Sequence, residues 1–241
     1  MAKSFFFSDA HLGTRKSKSE KERQNKVLEF LDHVAREGKQ LFIVGDLFDF
    51  WFEYRSTIPR GYTHILAALI RLRALDIEIH YIAGNHDFWM RDFLTTELDI
   101  PVHFDFLAHS LNGKKFFIQH GDGLSKKDVG YRMLKKIFRN KFNIFLYGLL
   151  HPDIGIPIAK AISSLSRKHS SQKENSRDDS DYLDTAIKRL NEGYDFVVLG
   201  HLHQPCIKNI NRKTYINLGD WITHFTYAVF DGKELRLLKW K

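Results

Sequence analysis

Apolar residues fall along the chain in two rhythms. Ser4 to Ser8 is a short run built on Phe5, Phe6 and Phe7, and it stops at Asp9. A short apolar run bounded by polar residues reads as a buried strand. From Glu20 to Glu37 the rhythm changes: Val27, Leu28, Leu31, Val34 and Ala35 recur at helical spacing, and Gly38 ends the helix. Gln40 to Val44 is a second strand, closed by Gly45 and Asp46. Tyr62 to Leu75 is a second amphipathic helix through Ile65, Leu66, Leu69, Ile70 and Leu72, and Ile77 to Ala83 is a third strand before Gly84 and Asn85. Further strands are predicted over Lys115 to Gln119, Phe196 to Leu199 and Tyr215 to Leu218. Thr226 to Phe230 and Glu234 to Lys239, joined by Asp231 and Gly232, predict a closing antiparallel hairpin. Strands alternating with helices imply an α/β sheet with parallel crossovers, whose ligands bind outside the carboxyl ends of the strands. Asp9, Asp46, Asn85, His120 and His201 all stand at such ends.

Between His120 and His201 the pattern differs. Tyr131 to Leu150 predicts one helix, with Leu134, Ile137, Phe138, Phe142, Phe145 and Leu149 along one side and Arg132, Lys135, Lys136, Arg139 and Lys141 supplying charge. Ser163 to Asp181 is polar and reads as a loop, and Tyr182 to Asn191 is a further helix. The expectation is a single domain over 1–241, with 124–192 inserted as a helical cap over the strand ends.

Composition narrows the picture. A chain of 241 residues fits one domain, and 43% hydrophobic residues suffice for a core. The net charge of +8 points to an anionic partner. Cys206 is the one cysteine, so no intrachain disulfide forms and a reducing compartment is expected. Met1 to Phe7 is too short for a signal sequence, and the greasy stretch from Phe142 to Ala159 is interrupted by His151, Pro152, Asp153 and Pro157. A cytoplasmic protein is expected, with peripheral contact to an anionic membrane from that side.

Five motifs carry the chemistry: Asp9-Ala10-His11, Gly45-Asp46-Leu47-Phe48-Asp49, Gly84-Asn85-His86-Asp87, His120-Gly121-Asp122 and Gly200-His201-Leu202-His203. Alone, most of these read as ordinary turns. Together they place carboxylate, carboxamide and imidazole at five strand ends, with glycines expected to turn the chain sharply. Asp9 and His11 are two residues apart, as are His201 and His203, so each pair faces one side of an extended chain. The donor mixture, without cysteine, suits Mn, Fe, Co or Zn.

The set, in this order, resembles the calcineurin-like metallophosphoesterase family. The resemblance implies two stacked mixed β-sheets flanked by helices, with two divalent metals sharing one aspartate. By motif, Asp9, His11, Asp46 and His203 would hold one metal, and Asp46, Asn85, His120 and His201 the other. Manganese is the first expectation. A hydroxide between the metals would attack phosphorus. His86 would face phosphate, and Asp49 would orient His86. The residues from Ser8 to Gly13, Gly45 to Trp51, His120 to Asp122, and Asp128 to Tyr131 are similar to the UDP-2,3-diacylglucosamine hydrolase branch. That implies hydrolysis of a nucleotide-sugar lipid's pyrophosphate in lipid A biosynthesis, yielding UMP and 2,3-diacylglucosamine 1-phosphate. Asn85, His86, His201, Asp128 and Tyr131, with Ser166, Ser170 and Lys173, would touch substrate, and no obligate protein partner is implied. The chain departs from the branch at His86, where Arg is usual, and at Leu202, where Thr is usual. The competing readings are a phosphodiesterase for nucleotides or nucleic acid, with nucleic acid disfavoured, and a non-catalytic scaffold.

Overall fold

In β1 (Lys3–Phe7), successive side chains point to opposite faces, and Phe5, Phe6 and Phe7 are all buried. Each buried phenylalanine contributes about 2 kcal/mol relative to exposure. This two-sided burial makes β1 a central strand. The computed structural model describes residues 3–13, 18–126, 129–159, 161 and 179–241.

Phe5 and Phe7 face α1 (Lys18–Glu37) and α2 (Thr63–Ala74), with Leu41 and Ile43 of β2 (Gly38–Val44) and Ile79 and Tyr81 of β3 (Glu78–Ile82). A short helix, α3 (Phe93–Leu98), and a two-residue edge strand, β4 (Val102–His103), follow. Phe6, Phe42, Val44 and Ile82 face the other way, into the space between two sheets. The second sheet supplies Phe116 and Ile118 of β6 (Lys114–Gln119) and Phe196 and Val198 of β7 (Phe196–Leu199) to the same space.

The remaining strands are β5 (Phe106–Leu111), β8 (Cys206–Ile210), β9 (Lys213–Asn217), β10 (Thr226–Phe230) and β11 (Leu235–Lys239). The sheets run β11-β10-β1-β2-β3-β4 and β5-β6-β7-β9-β8. Each is mixed. β1 to β4 are parallel, as are β6, β7 and β9, while β10, β11, β5 and β8 run antiparallel to their neighbours. The hairpin expected at 226–239 is β10–β11.

Two expectations for 124–192 change. The helix predicted over Tyr131 to Leu150 is two helices, α4 (Val129–Phe138) and α5 (Lys141–Gly148). Asn140 breaks it: its side chain accepts hydrogen bonds from Phe142 N and Asn143 N and caps α5. The last helix, α6 (Ser180–Asn191), buries Tyr182, Ala186 and Leu190 against Phe117, Val197, Leu199 and Tyr215. It therefore covers the outer face of the second sheet, and the exposed cap consists of α4, α5 and a helical stretch at 152–159. None of the residues of α4 or α5 is buried.

Candidate metal centre

The carboxyl ends of the parallel strands of both sheets meet at one seam. Asp9 follows β1, Asp46 follows β2, Asn85 follows β3, His120 follows β6 and His201 follows β7. Past the strands the backbone stays paired: Asp9 N donates to Gly45 O (3.1 Å) and His11 N to Asp46 O (2.9 Å), while Gly200 N donates to His120 O (3.0 Å). Asp9, His11, Asp46, His201 and His203 have φ of 55°, 44°, 54°, 68° and 59°. Left-handed backbone outside glycine is uncommon, costs about 1–3 kcal/mol per residue and gathers at functional sites.

The glycines do not all serve as turns. Gly45 has φ of 82°, but Gly84 does not adopt positive φ. A Cβ on Gly84 would lie 2.0 Å from Asp46 Oδ1 and 2.6 Å from Asp46 N, so its role is close approach.

Two groups of donors form there. In the first, Asp9 Oδ1 lies 3.1 Å from His203 Nε2 and 3.6 Å from His11 Nε2, and the two Nε2 atoms are 3.1 Å apart. In the second, His120 Nε2 lies 3.3 Å from Asp46 Oδ2 and 3.2 Å from Asn85 Oδ1. His201 completes that group: ligand atoms of Asp46, His120 and His201 lie within 4.8 Å of one another. Asp46 Oδ2 is also 3.7 Å from His11 Nε2, so one carboxylate reaches both groups.

The donors fit divalent cations on their own geometry. Asp9 Oδ1 is buried without a hydrogen-bond partner. His11 and His203 aim ring nitrogens at one another, where at most one proton can be shared. His120 Nδ1 lies 2.9 Å from Val44 O, which only accepts, so Nδ1 carries the proton and Nε2 faces the group.

Burial alone would raise the carboxyls of Asp9 and Asp46. The surrounding imidazoles, led by His203 for Asp9 and His120 for Asp46, hold both below the usual range. Burial works against charge on His120, yet Asp46 pushes it up to about 10. His201 is pushed down to about 3, first by burial and then by His120. Burial also pushes His86 down to about 4.

His86 Nδ1 donates to the backbone carbonyl of Asp49 at 2.9 Å. The Asp49 carboxylate, expected to orient His86, lies 3.8 Å from Nδ1 of both His86 and His11. A ligand atom of His86 also comes within 4.8 Å of His11 and Asp46.

Beside the donors lies a cavity of about 510 Å³. Asp49, Asn85 and His86 line it together with the apolar side chains of Phe52, Trp89, Phe138, Ile144 and Tyr147. Tyr131 also lines it and donates to Asp122 Oδ2 at 2.9 Å. Asp128, Ser166, Ser170 and Lys173 lie outside the described residues. Lys135 and Arg139 were expected only as part of the basic charge of one long helix. Both line this cavity and both bind Asp122, at 2.6 and 3.3 Å. Their spacing of four residues on one helix was the available signal.

Among the described residues, no helix is long and apolar enough to cross a membrane. The model of the calcineurin-like phosphoesterase family matches residues 2–205. The chain is 34% identical to UDP-2,3-diacylglucosamine hydrolase of Porphyromonas gingivalis, over 98% of this chain and 97% of that protein. It is 29% identical to the enzyme of that name from Nitrosococcus oceani, over 90% and 86% of the two chains. With one from Haemophilus influenzae the identity is 27%, over 92% and 91%.

Proposed function

The chain belongs to the calcineurin-like phosphoesterase family, and from that premise we propose that it hydrolyses the pyrophosphate of UDP-2,3-diacylglucosamine. The products are UMP and 2,3-diacylglucosamine 1-phosphate. The observation that carries this reading is the largely apolar cavity that Asn85 and His86 of the donor groups also line. A diacyl substrate needs a greasy wall that stops at phosphate chemistry. A nucleic-acid groove would instead set cations along a track.

We assign Asp9, His11, Asp46 and His203 to one divalent ion, and Asp46, Asn85, His120 and His201 to the other. Manganese is the ion we expect. When bound, the ions supply an activated water at neutral pH and neutralise phosphate oxygens. The side chains do the rest. With Nδ1 of His86 donating to Asp49 O, its Nε2 carries no proton in the neutral ring. An arriving phosphate favours the protonated ring, which then donates to a phosphate oxygen from Nε2. Lys135 and Arg139 stand in the cavity wall to neutralise the second phosphate. Phe52, Trp89, Ile144 and Tyr147 receive the acyl chains. The domain over 1–241, with α4, α5 and the helical stretch at 152–159 as its cap, then works as a lidded hydrolase on the cytoplasmic face of the membrane.

The test is UMP release from UDP-2,3-diacylglucosamine, beside turnover of a chromogenic phosphodiester. We expect UMP release that EDTA abolishes and Mn(II) restores. Diester turnover without UMP release would refute the substrate while leaving the phosphoesterase intact.

A further inference from the structure

A second convergence of ligand-type side chains lies away from the seam. His80, on β3, is five residues before Asn85, about 16 Å along an extended strand. Its Nε2 is 2.8 Å from Glu78 Oε1 on the same strand. Its ring stacks flat on Phe42, centroids 5.0 Å apart and 13° between planes. His109 reaches in from β5 of the other sheet, its ring 4.9 Å from that of His80. Glu78, His80 and His109 each offer a donor atom within 4.8 Å of the others.

The surroundings are built for such a cluster. His103, on the edge strand β4, sets its Nε2 3.4 Å from His80 Nδ1. That contact occupies one nitrogen of His80 and leaves Nε2 toward Glu78. Gln40 donates to Glu78 Oε2 at 2.7 Å and is itself held by Ser4 Oγ at 3.0 Å. Ligating histidines and carboxylates are typically fixed by outer partners of this kind. The Glu78 side chain is 49% exposed, so an ion can enter from solvent, while that of His80 is 10% exposed.

We propose that Glu78, His80 and His109 form a further metal site, holding one borderline divalent ion such as Zn(II) and tying the two sheets together. Two imidazoles and a carboxylate are a known donor set for zinc, with the remaining position left to water. Two imidazole donors suit a borderline divalent ion such as Zn(II) better than a hard one. The ion spans β3 of the six-stranded sheet and β5 of the five-stranded one, so it binds the folded protein and not the unfolded chain.

The test uses the full chain with Mn(II) present, titrated with Zn(II) against a chromophoric chelator. Glu78→Gln and His109→Gln are compared with wild type. Glu78 is at the surface and Gln keeps the volume, so that variant guards against a folding failure. We expect wild type to bind one more Zn(II) per chain than either variant. Zn(II) should raise the wild-type Tm by about 5 °C and leave the variants unmoved. Phosphodiester turnover with Mn(II) should stay within about twofold of wild type in both, as neither residue touches the seam. Equal zinc stoichiometry and equal zinc-dependent Tm shifts in all three proteins would overturn the proposal. Neither result depends on which phosphate ester is the substrate.

Discussion

Gly84→Ala tests the reading of the seam most directly. A Cβ there would lie 2.0 Å from Asp46 Oδ1, whereas ordinary contact begins at 3.4 Å, a shortfall of 1.4 Å. It would also lie 2.6 Å from Asp46 N, a shortfall of 0.8 Å. The second contact is backbone, so rotating the carboxylate does not clear it. Asp46 is held where it is: Oδ1 accepts from His86 N at 2.9 Å, and φ is already left-handed. The Asp46 carboxylate must therefore move by about 1 Å, and displacements of that size cost roughly 100-fold in rate. That corresponds to about 2.7 kcal/mol of transition-state stabilisation. We expect kcat/KM for UMP release to fall by roughly 100-fold at saturating Mn(II). Metal retained per chain after dialysis should fall with it, since Asp46 reaches both donor groups. Gly130→Ala is the control, because its Cβ meets nothing within 4 Å and it lies in α4. It should melt at or above the wild-type temperature, since Ala is favoured over Gly within helices by about 0.5–1 kcal/mol. A Gly84→Ala protein that keeps its metal and stays within threefold of wild-type activity would refute the packing argument.

Three further outcomes follow from the same geometry. His86→Gln should lower kcat by roughly 100-fold with metal content unchanged. Native His86, at about 4, binds protons less readily than the unfolded residue, near 6.5, so stability is lost as pH falls between those values. Urea melts of metal-free protein should accordingly show a flatter acid limb in His86→Gln, and an unchanged limb would refute the burial argument. Arg139→Met should raise KM for the pyrophosphate substrate by about tenfold yet leave a small chromogenic diester unaffected, because Arg139 sits in the cavity wall on Asp122 and over the Phe88 ring; equal losses on both substrates would place its effect on the metals instead. Asn140→Ala removes the cap of α5 at a cost of about 1 kcal/mol. Hydrogen exchange should speed up over 141–148 and stay unchanged in the two sheets.

The residues at the seam were legible because strand order does the work. Once Phe5–Phe7, Gln40–Val44 and Ile77–Ala83 read as strands, Asp9, Asp46 and Asn85 had to stand at their carboxyl ends. Elements with weak apolar signatures were not legible. β4 has two residues, and β5 has one buried residue, Leu111, beside the half-buried Leu107 and His109 and the exposed Phe106, Ala108 and Ser110. Tyr131 to Leu150 kept helical periodicity across Asn140, so the break appeared only through the hydrogen bonds of its side chain. Gly84 was correctly singled out for an incorrect reason, since distance to Asp46, rather than φ, is what excludes a side chain. The Glu78–His80–His109 cluster had no motif at all. Its members come from two strands of different sheets, and only the stacking of those sheets brings His109 to His80.

The cap raises the remaining physical question, because α4 and α5 bury nothing yet carry large apolar side chains. Met133, Phe142, Phe145 and Leu149 are all more than 60% exposed. The opposite side of these helices supplies Phe138, Ile144 and Tyr147 to the cavity. Ties of the cap to the body include Tyr131, Lys135 and Arg139 on Asp122, Trp89 Nε1 on Phe138 O at 3.0 Å, and Tyr147 against Phe52. An amphipathic helix that only covered the body would turn its apolar side inward and charge outward. Helices apolar toward the cavity and toward solvent do not fit that role; an exposed apolar patch is what the proposed membrane contact would use. The exposed Lys136 and Lys141 beside it suit anionic headgroups. On the proposed function both faces meet the same material, with acyl chains of the substrate inside and the bilayer that supplies them outside. The substrate could then slide from membrane to cavity without carrying its acyl chains through water, where each buried CH₂ would forfeit about 0.8 kcal/mol.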